Sequence, residues 1–283
     1  MTLVVGIVAP GTMGAGIGRR LGGHDVRVLT SLTGRSEATA ARAHEAGMIA
    51  ASDEEIAATD FILSILPPGD ALALAKRFAP VLSASNAKPV YVDCNAINPA
   101  TVERVAAAIA PTGCAFVDAG IIGPPPKGGD AGPRLYASGA AAARFAGLRQ
   151  YRLDVRVLEG PLSAASALKM SYAGINKGTQ AIAAAMMLAA MRAGSADALF
   201  EELTFSQKEM FAQFKQQLPK MPQKAYRWIA EMQEIAGFVA DDPAARELYE
   251  GAARFYEKMA EDFSGDQKAA AALARFLSNE AKR

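Results

Sequence analysis

Apolar residues fall in short unbroken runs through the first 160 positions of this chain and at helical spacing after that. Leu3 to Val8 reads as a buried strand, Ala9, Pro10 and Gly11 as a tight turn, and Met13 to about Leu21 as a helix. A second strand, Asp25 to Thr30, closes a βαβ unit of about 30 residues. The alternation continues with a helix over Glu37 to Ala46, a short strand over Met48 to Ala51, a short helix over Asp53 to Ala58 and a buried strand over Asp60 to Leu66. A helix over Asp70 to Phe78 and a strand over Pro89 to Cys94 come next. Asn98 is placed to cap a helix over Pro99 to Ala110, and a strand over Cys114 to Ala119 runs into a Gly- and Pro-rich loop, Gly120 to Gly132. Arg134 to Ser138 and Asp154 to Leu158 complete a set of about eight strands. Strands separated by helices predict a doubly wound α/β sheet.

The composition changes near Gly160. From Leu162 onward no strand is expected, and a long helix over Ser163 to about Ala193 carries an Ala and Met face of Ala181, Ala184, Ala185, Leu188 and Met191. Two domains are therefore expected: 1–160, the α/β sheet, and 161–283, all helical. With 51% apolar and 21% charged residues, 283 residues suffice for two cores. A net charge of +1 gives no pull toward nucleic acid or an anionic membrane, which leaves small-molecule chemistry as the expectation. Two cysteines, Cys94 and Cys114, make no disulfide framework, and with only His24 and His44 no metal site is expected. Arg19 and Arg20 follow the N-terminal apolar run instead of preceding it, the wrong order for a signal peptide, so a cytoplasmic protein is expected.

The first turn carries the strongest chemical signal. A helix N-terminus offers unpaired N–H groups and the positive end of a dipole, which together suit a pyrophosphate. Pro10, Gly11, Thr12, Met13 and Gly14 would line it, in a Gly-x-Gly-x-x-Gly pattern with Ala9 at its first position. This predicts a dinucleotide-binding, Rossmann-type domain. Enzymes that use NAD place a carboxylate at the end of the second strand for the ribose hydroxyl, whereas NADP needs hydroxyls and a cation for the 2′-phosphate. Here Ser31, Thr33, Arg35 and Ser36 come before the first carboxylate, Glu37, which favours NADP; the alternative is an ordinary polar loop. Leu66, Pro67 and Asn95 follow strands at the same sheet edge and are candidates to line the cofactor.

On the long helix, Lys169, Tyr172, Ala173 and Asn176 share one face. On spacing alone Lys169 is either an acid/base tuned by burial or a lysine whose ammonium reaches water. Four segments, in order, resemble the β-hydroxyacid dehydrogenase superfamily, the group of 3-hydroxyisobutyrate, tartronate semialdehyde and 6-phosphogluconate dehydrogenases. GIVAPGTMG (Gly6 to Gly14) is similar to that family's G-x-I-G-x-G-x-M-G, VDCNAINP (Val92 to Pro99) to its D-x-S-T-x-x-P, and DAGIIGPPPKGG (Asp118 to Gly129) to its D-A-P-V-S-G-G substrate loop. In ALKMSYAGINKG, Lys169 falls where the family's catalytic Lys begins K-x-x-N-N. The resemblance implies hydride transfer between the nicotinamide and a carbinol carbon, with Lys169 moving the hydroxyl proton. It also implies substrate contacts at Asn95, Ile122, Gly123, Pro124, Tyr172 and Asn176, and a homodimer joined through the helical domains.

The departures from the family are several. Asn95 replaces a Ser, Ile122 replaces the Ser of the substrate loop, and Tyr172 and Ala173 replace paired Asn residues. Ala225 to Ala236 occupies the family's K-D helix yet offers Glu231 and Met232. The substrate stays open, as do the roles of Lys127 and Arg134. Two other readings remain at this level: an imine reductase-like enzyme, a cousin branch in which the Lys is commonly replaced, and a non-catalytic NADPH sensor.

Overall fold

The structure, a computed structural model, describes residues 2–127, 129 and 131–278. Gly128 and Asp130 of the expected substrate loop, and the charged Asn279 to Arg283 tail, lie outside the described residues. By contacts the chain divides into two compact units, Met1–Met170 and Ser171–Arg283.

In the first unit the elements follow in the order β1 Val4–Val8, α1 Thr12–Gly22, β2 Arg27–Thr30, α2 Glu37–Glu45, β3 Ile49–Ala50, α3 Asp53–Ala57, β4 Phe61–Ser64 and α4 Ala71–Ala84. Then come β5 Val90–Asp93, α5 Pro99–Ile109, β6 Phe116–Ile122, β7 Arg134–Ser138, α6 Ala142–Ala146, β8 Asp154–Val157 and the start of α7 Ala164–Arg192. The eight strands form one sheet in the order β3-β2-β1-β4-β5-β6-β7-β8. β1 to β6 run parallel, and the near-continuous apolar runs of β1, β4, β5 and β6 reflect burial on both faces, whereas the two residues of the edge strand β3 are exposed. Along each strand alternate residues enter different cores. Val5, Ile7, Leu63, Val92 and Val117 join one cluster; Val8, Ile62 and Tyr91 join the other, which Phe78 of α4 and Val105 of α5 complete.

Two element bounds differ from the expectation, and the direction of one strand comes only with the fold. β7 runs antiparallel to β6, because residues 123–133 are too short and too Pro-rich for the helical crossover that a parallel partner needs. That pairing, Ile122 with Arg134 through Asp118 with Ser138, draws the strand to Ile122, so Gly120 and Ile121 belong to β6 and not to a loop. The helix expected to stop at Phe78 continues past Pro80 to Ala84: its apolar face goes on to Leu82, fully buried like Phe78, and that packing outweighs one missing N–H. Asn98 caps α5 as expected, accepting from Thr101 N–H at 2.9 Å.

The second unit contains the rest of α7, then α8 Ala196–Ser206, α9 Lys208–Gln217, α10 Ala225–Phe238, α11 Pro243–Ser264 and α12 Lys268–Ser278. Among the described residues it holds no strand. Trp228 of α10 meets Tyr256 of α11 edge to face at 5.2 Å. No helix among the described residues is long and apolar enough to cross a membrane.

Candidate cofactor and catalytic site

β1 delivers the chain into the Ala9 to Gly11 turn, and α1 opens at Thr12. Gly11 is the N-cap, with extended backbone (φ −66°, ψ −177°), and neither a side-chain cap nor an acidic residue occupies the first turn. A Cβ built on Gly11 would meet nothing within 4 Å, so the fold itself does not require glycine there. A Cβ on Gly14 would lie 2.5 Å from the Ala9 carbonyl oxygen and 3.3 Å from Ile7 Cγ2, so glycine at 14 lets α1 lie against β1. Open space at Gly11 beneath the N–H groups of a helix start, with Thr12 exposed and Met13 half-buried, fits a pyrophosphate. Pro10 is buried beneath the turn. Arg42 of α2, which the sequence did not single out, places Nη1 3.5 Å from the Pro10 carbonyl and adds a cation beside the turn.

At the end of β2 the expected phosphate residues part company. Ser31 is 2% exposed and its hydroxyl accepts from Arg77 Nη2 at 3.0 Å. Arg77 also grips Asp53 through Nε (2.7 Å) and Nη2 (2.6 Å), which holds the Asp53 carboxyl below its usual range. Ser36 spends its hydroxyl on the α2 N-cap, accepting from Thr39 N–H. Thr33 and Arg35 are exposed and face solvent.

Farther along the same edge, Leu66 is half-buried and Pro67 exposed. Asn95, expected to touch substrate or nicotinamide, is instead engaged inside the protein. Its amide nitrogen donates to Ser64 Oγ (2.8 Å) and Asp93 Oδ2 (3.0 Å), its oxygen accepts from Leu66 N–H (2.5 Å), and it is 2% exposed. In this position it ties the loop after β4 to the end of β5. Asp93 and Asp118 face each other in register on β5 and β6, both fully buried. Burial pushes the Asp93 carboxyl up to about 7, with a smaller push from Asp118. Burial likewise raises Asp118 to about 6, against the hydrogen bonds it accepts from Ser166.

Lys169 stands one turn into α7, half-buried, and its Nζ donates to the Ile121 carbonyl at 2.8 Å. Ile121 lies near the carboxyl end of β6, the edge on which the Gly11 turn and Asn95 also lie. Ile122 is 5% exposed within the strand, while Gly123 and Pro124 are exposed just beyond it. Lys127 and Arg134 are exposed, and Lys127 offers its carbonyl to Arg20. Tyr172 and Asn176 belong to the second unit. Tyr172 is 46% exposed, and Asn176 Oδ1 accepts from Gln180 Nε2 at 3.0 Å. Glu231 is committed there to an ion pair with Lys177, whose ammonium lies 5.2 Å from the Trp228 ring centre. Burial lowers the Lys177 pKa despite that partner.

Residues 4–150 match the NAD binding domain of 6-phosphogluconate dehydrogenase, and residues 190–259 match a domain of unknown function (DUF1932). An uncharacterized 28.5 kDa protein of Methanothermus fervidus is 28% identical over 188 residues, 66% of this chain and 70% of its own. Among solved structures, the conserved protein MTH1747, of unknown function and described as structurally similar to 3-hydroxyacid dehydrogenases, is 30% identical. It superimposes with a TM-score of 0.72 over 93% of this chain and 98% of its own. The Mycobacterium tuberculosis 3-hydroxyisobutyrate dehydrogenase, solved with L-serine, gives 0.68 at 20% identity over 96% and 98% of the two chains, a likeness of fold alone.

Proposed function

Since the chain belongs to the family of the NAD binding domain of 6-phosphogluconate dehydrogenase, we propose that it is an NADP-dependent oxidoreductase acting on a hydroxy acid or a related carbonyl compound. Lys169 is its acid/base. The observation that carries this reading is the placement of Lys169 Nζ beside the Ile121 carbonyl, half-buried at the sheet edge that holds the Gly11 turn. The cofactor would supply hydride as NADPH or accept it as NADP⁺. The N–H groups of Thr12 and Met13 would hold its pyrophosphate, with the charge of Arg42 beside them. Arg35 and Thr33 would hold the 2′-phosphate, since the Ser31 and Ser36 hydroxyls already have protein partners. At the substrate, Lys169 gives up its proton as a carbonyl oxygen becomes a hydroxyl and takes it back in the reverse direction. The Ile121 carbonyl holds the ammonium in place between turnovers. In the first unit, Ile122, Gly123 and Pro124 are the proposed substrate contacts, with an apolar Ile122 favouring a less polar substrate than short hydroxy acids.

We also infer a homodimer, supported by the apolar residues that α7 leaves exposed: Ile175 at 70%, Ile182 at 52% and Met186 at 58%. The enzymatic reading is tested with Lys169→Ala in a screen of NADPH oxidation against a panel of carbonyl compounds. The variant should bind NADPH as the parent does and lose about 10²- to 10⁴-fold in turnover on whichever compound the parent reduces. Turnover retained by the variant would remove Lys169 from the mechanism.

A further inference from the structure

We propose that Asp118 is a positioning residue, which caps the helix carrying Lys169 from the neighbouring strand and so sets the place of that lysine. The first four N–H groups of a helix lack partners within it. In α7 two of them are taken by side chains from the sheet. Asp118 Oδ2 accepts from the Ser166 N–H at 2.7 Å, and its Oδ1 accepts from the Ser166 hydroxyl at 2.7 Å. Ser138 of β7 accepts from the Ala165 N–H at 2.9 Å while donating to the Leu162 carbonyl at 2.7 Å. Asp118, Ser138 and Ser166 are all fully buried.

A buried carboxylate is expensive unless hydrogen-bonded, so this one earns its place only through the N–H and O–H groups that it holds. The Lys169 bond to β6 then repeats the spacing of the cap. Ser166 lies three residues before Lys169 on the helix, and Asp118 three residues before Ile121 on the strand. Three residues advance about 10 Å along a strand and about 4.5 Å along a helix, and the long lysine side chain spans the difference. Between the two attachments, a Cβ on Gly120 would lie 2.8 Å from the Ala165 carbonyl oxygen and 3.1 Å from Lys169 Cβ, so helix and strand are in backbone contact there. A cap at one end, a glycine contact between and the Nζ bond at the other leave the first turns of α7 a single register on β6.

The kinetic meaning of this device rests on the acid/base reading of Lys169, but its test does not. Amide hydrogen exchange is measured for Ala165 to Lys169. Acetylation of Lys169 by acetic anhydride is followed by mass spectrometry, with the exposed Lys76 as internal standard. A hydrogen bond to a charged group contributes about 1.5–3 kcal/mol, so Asp118→Ala should speed exchange of the Ser166 amide about 10- to 150-fold. Lys169 acetylation should rise several-fold relative to Lys76. Asp118→Asn, whose carbonyl still accepts from the Ser166 N–H, should restore most of both. If Asp118→Ala does not fold, Ser166→Ala, which removes only the hydroxyl bond, should show the smaller rise of roughly two- to fivefold in exchange that one lost side-chain bond allows. Exchange and acetylation at wild-type levels in these variants would overturn the proposal. So would a rise spread evenly over the first unit, which would make Asp118 a general stabiliser. Faster exchange and acetylation with unaltered turnover would leave the cap standing and remove only its kinetic meaning, while turnover retained by Lys169→Ala would refute the acid/base reading separately.

Discussion

Gly11 and Gly14 lie three residues apart in one turn, and substituting alanine at each should do opposite things. At Gly14 the new methyl would sit 2.5 Å from a backbone oxygen and 3.3 Å from Ile7 Cγ2, neither of which is the free end of a flexible chain. Overpacking of this kind costs about 1–3 kcal/mol, of which the better helix propensity of Ala offsets at most about 1. Gly14→Ala should therefore lower the urea midpoint visibly. At Gly11 the methyl meets open space and the backbone is already in a region open to alanine. Loss of a tolerable N-cap residue costs about 0.5–1 kcal/mol, so Gly11→Ala should fold with nearly full stability. If a pyrophosphate approaches the helix N-terminus at that spot, the same methyl holds it off and removes a charge-assisted hydrogen bond of about 1.5–3 kcal/mol. NADPH affinity should then fall about 10- to 150-fold. The assays are urea unfolding followed by circular dichroism and a nicotinamide fluorescence titration of each folded variant. Unchanged NADPH affinity in Gly11→Ala would refute the placement of the phosphates, and an undiminished midpoint in Gly14→Ala would refute the packing argument.

Asp93 and Asp118, held near 7 and 6 by burial, bind protons in the folded chain that the unfolded chain has already released. Their contribution to stability is thus complete below about pH 4 and lost as pH rises through 6 to 7, a change of the order of a few kcal/mol. Urea midpoints taken from pH 5 to 8 should fall across that window, and Asp93→Asn should flatten the fall; a midpoint that rises would contradict the burial argument. Sedimentation velocity at micromolar concentration should give a dimer, and Ile182→Glu a monomer, if the exposed α7 residues form the interface; a monomeric parent would sink that inference.

Much of the first unit was legible because its signals are local. Five apolar residues around Gly6, from Leu3 to Val8, mark β1 before its turn, and Asn98 before Pro99 marks a helix start whichever way the sheet is ordered. What stayed hidden depends on partners distant in sequence. The direction of β7 is settled by β6, not by anything within Arg134 to Ser138. Ser31 and Asn95 read as ligand contacts until Arg77, 46 residues on, and Ser64, 31 residues back, take up their polar atoms. Arg42 meets the Pro10 carbonyl across 32 residues, and the Asp118 to Ser166 cap spans 48 residues with no local pattern at either end. Lys169 stands out only through the motif that surrounds it, and its bond to Ile121, 48 residues back, has no local sign.

The central claim, that the turn at Gly11 and the loop at Arg35 bind NADP, is tested most directly by titrating the purified protein with NADPH and, separately, with NADH under nicotinamide fluorescence. Micromolar binding of NADPH and much weaker binding of NADH are predicted, with Arg35→Ala weakening the first far more than the second. Binding of neither nucleotide would contradict the claim, and equal binding of both, unaffected by Arg35→Ala, would contradict its assignment to NADP.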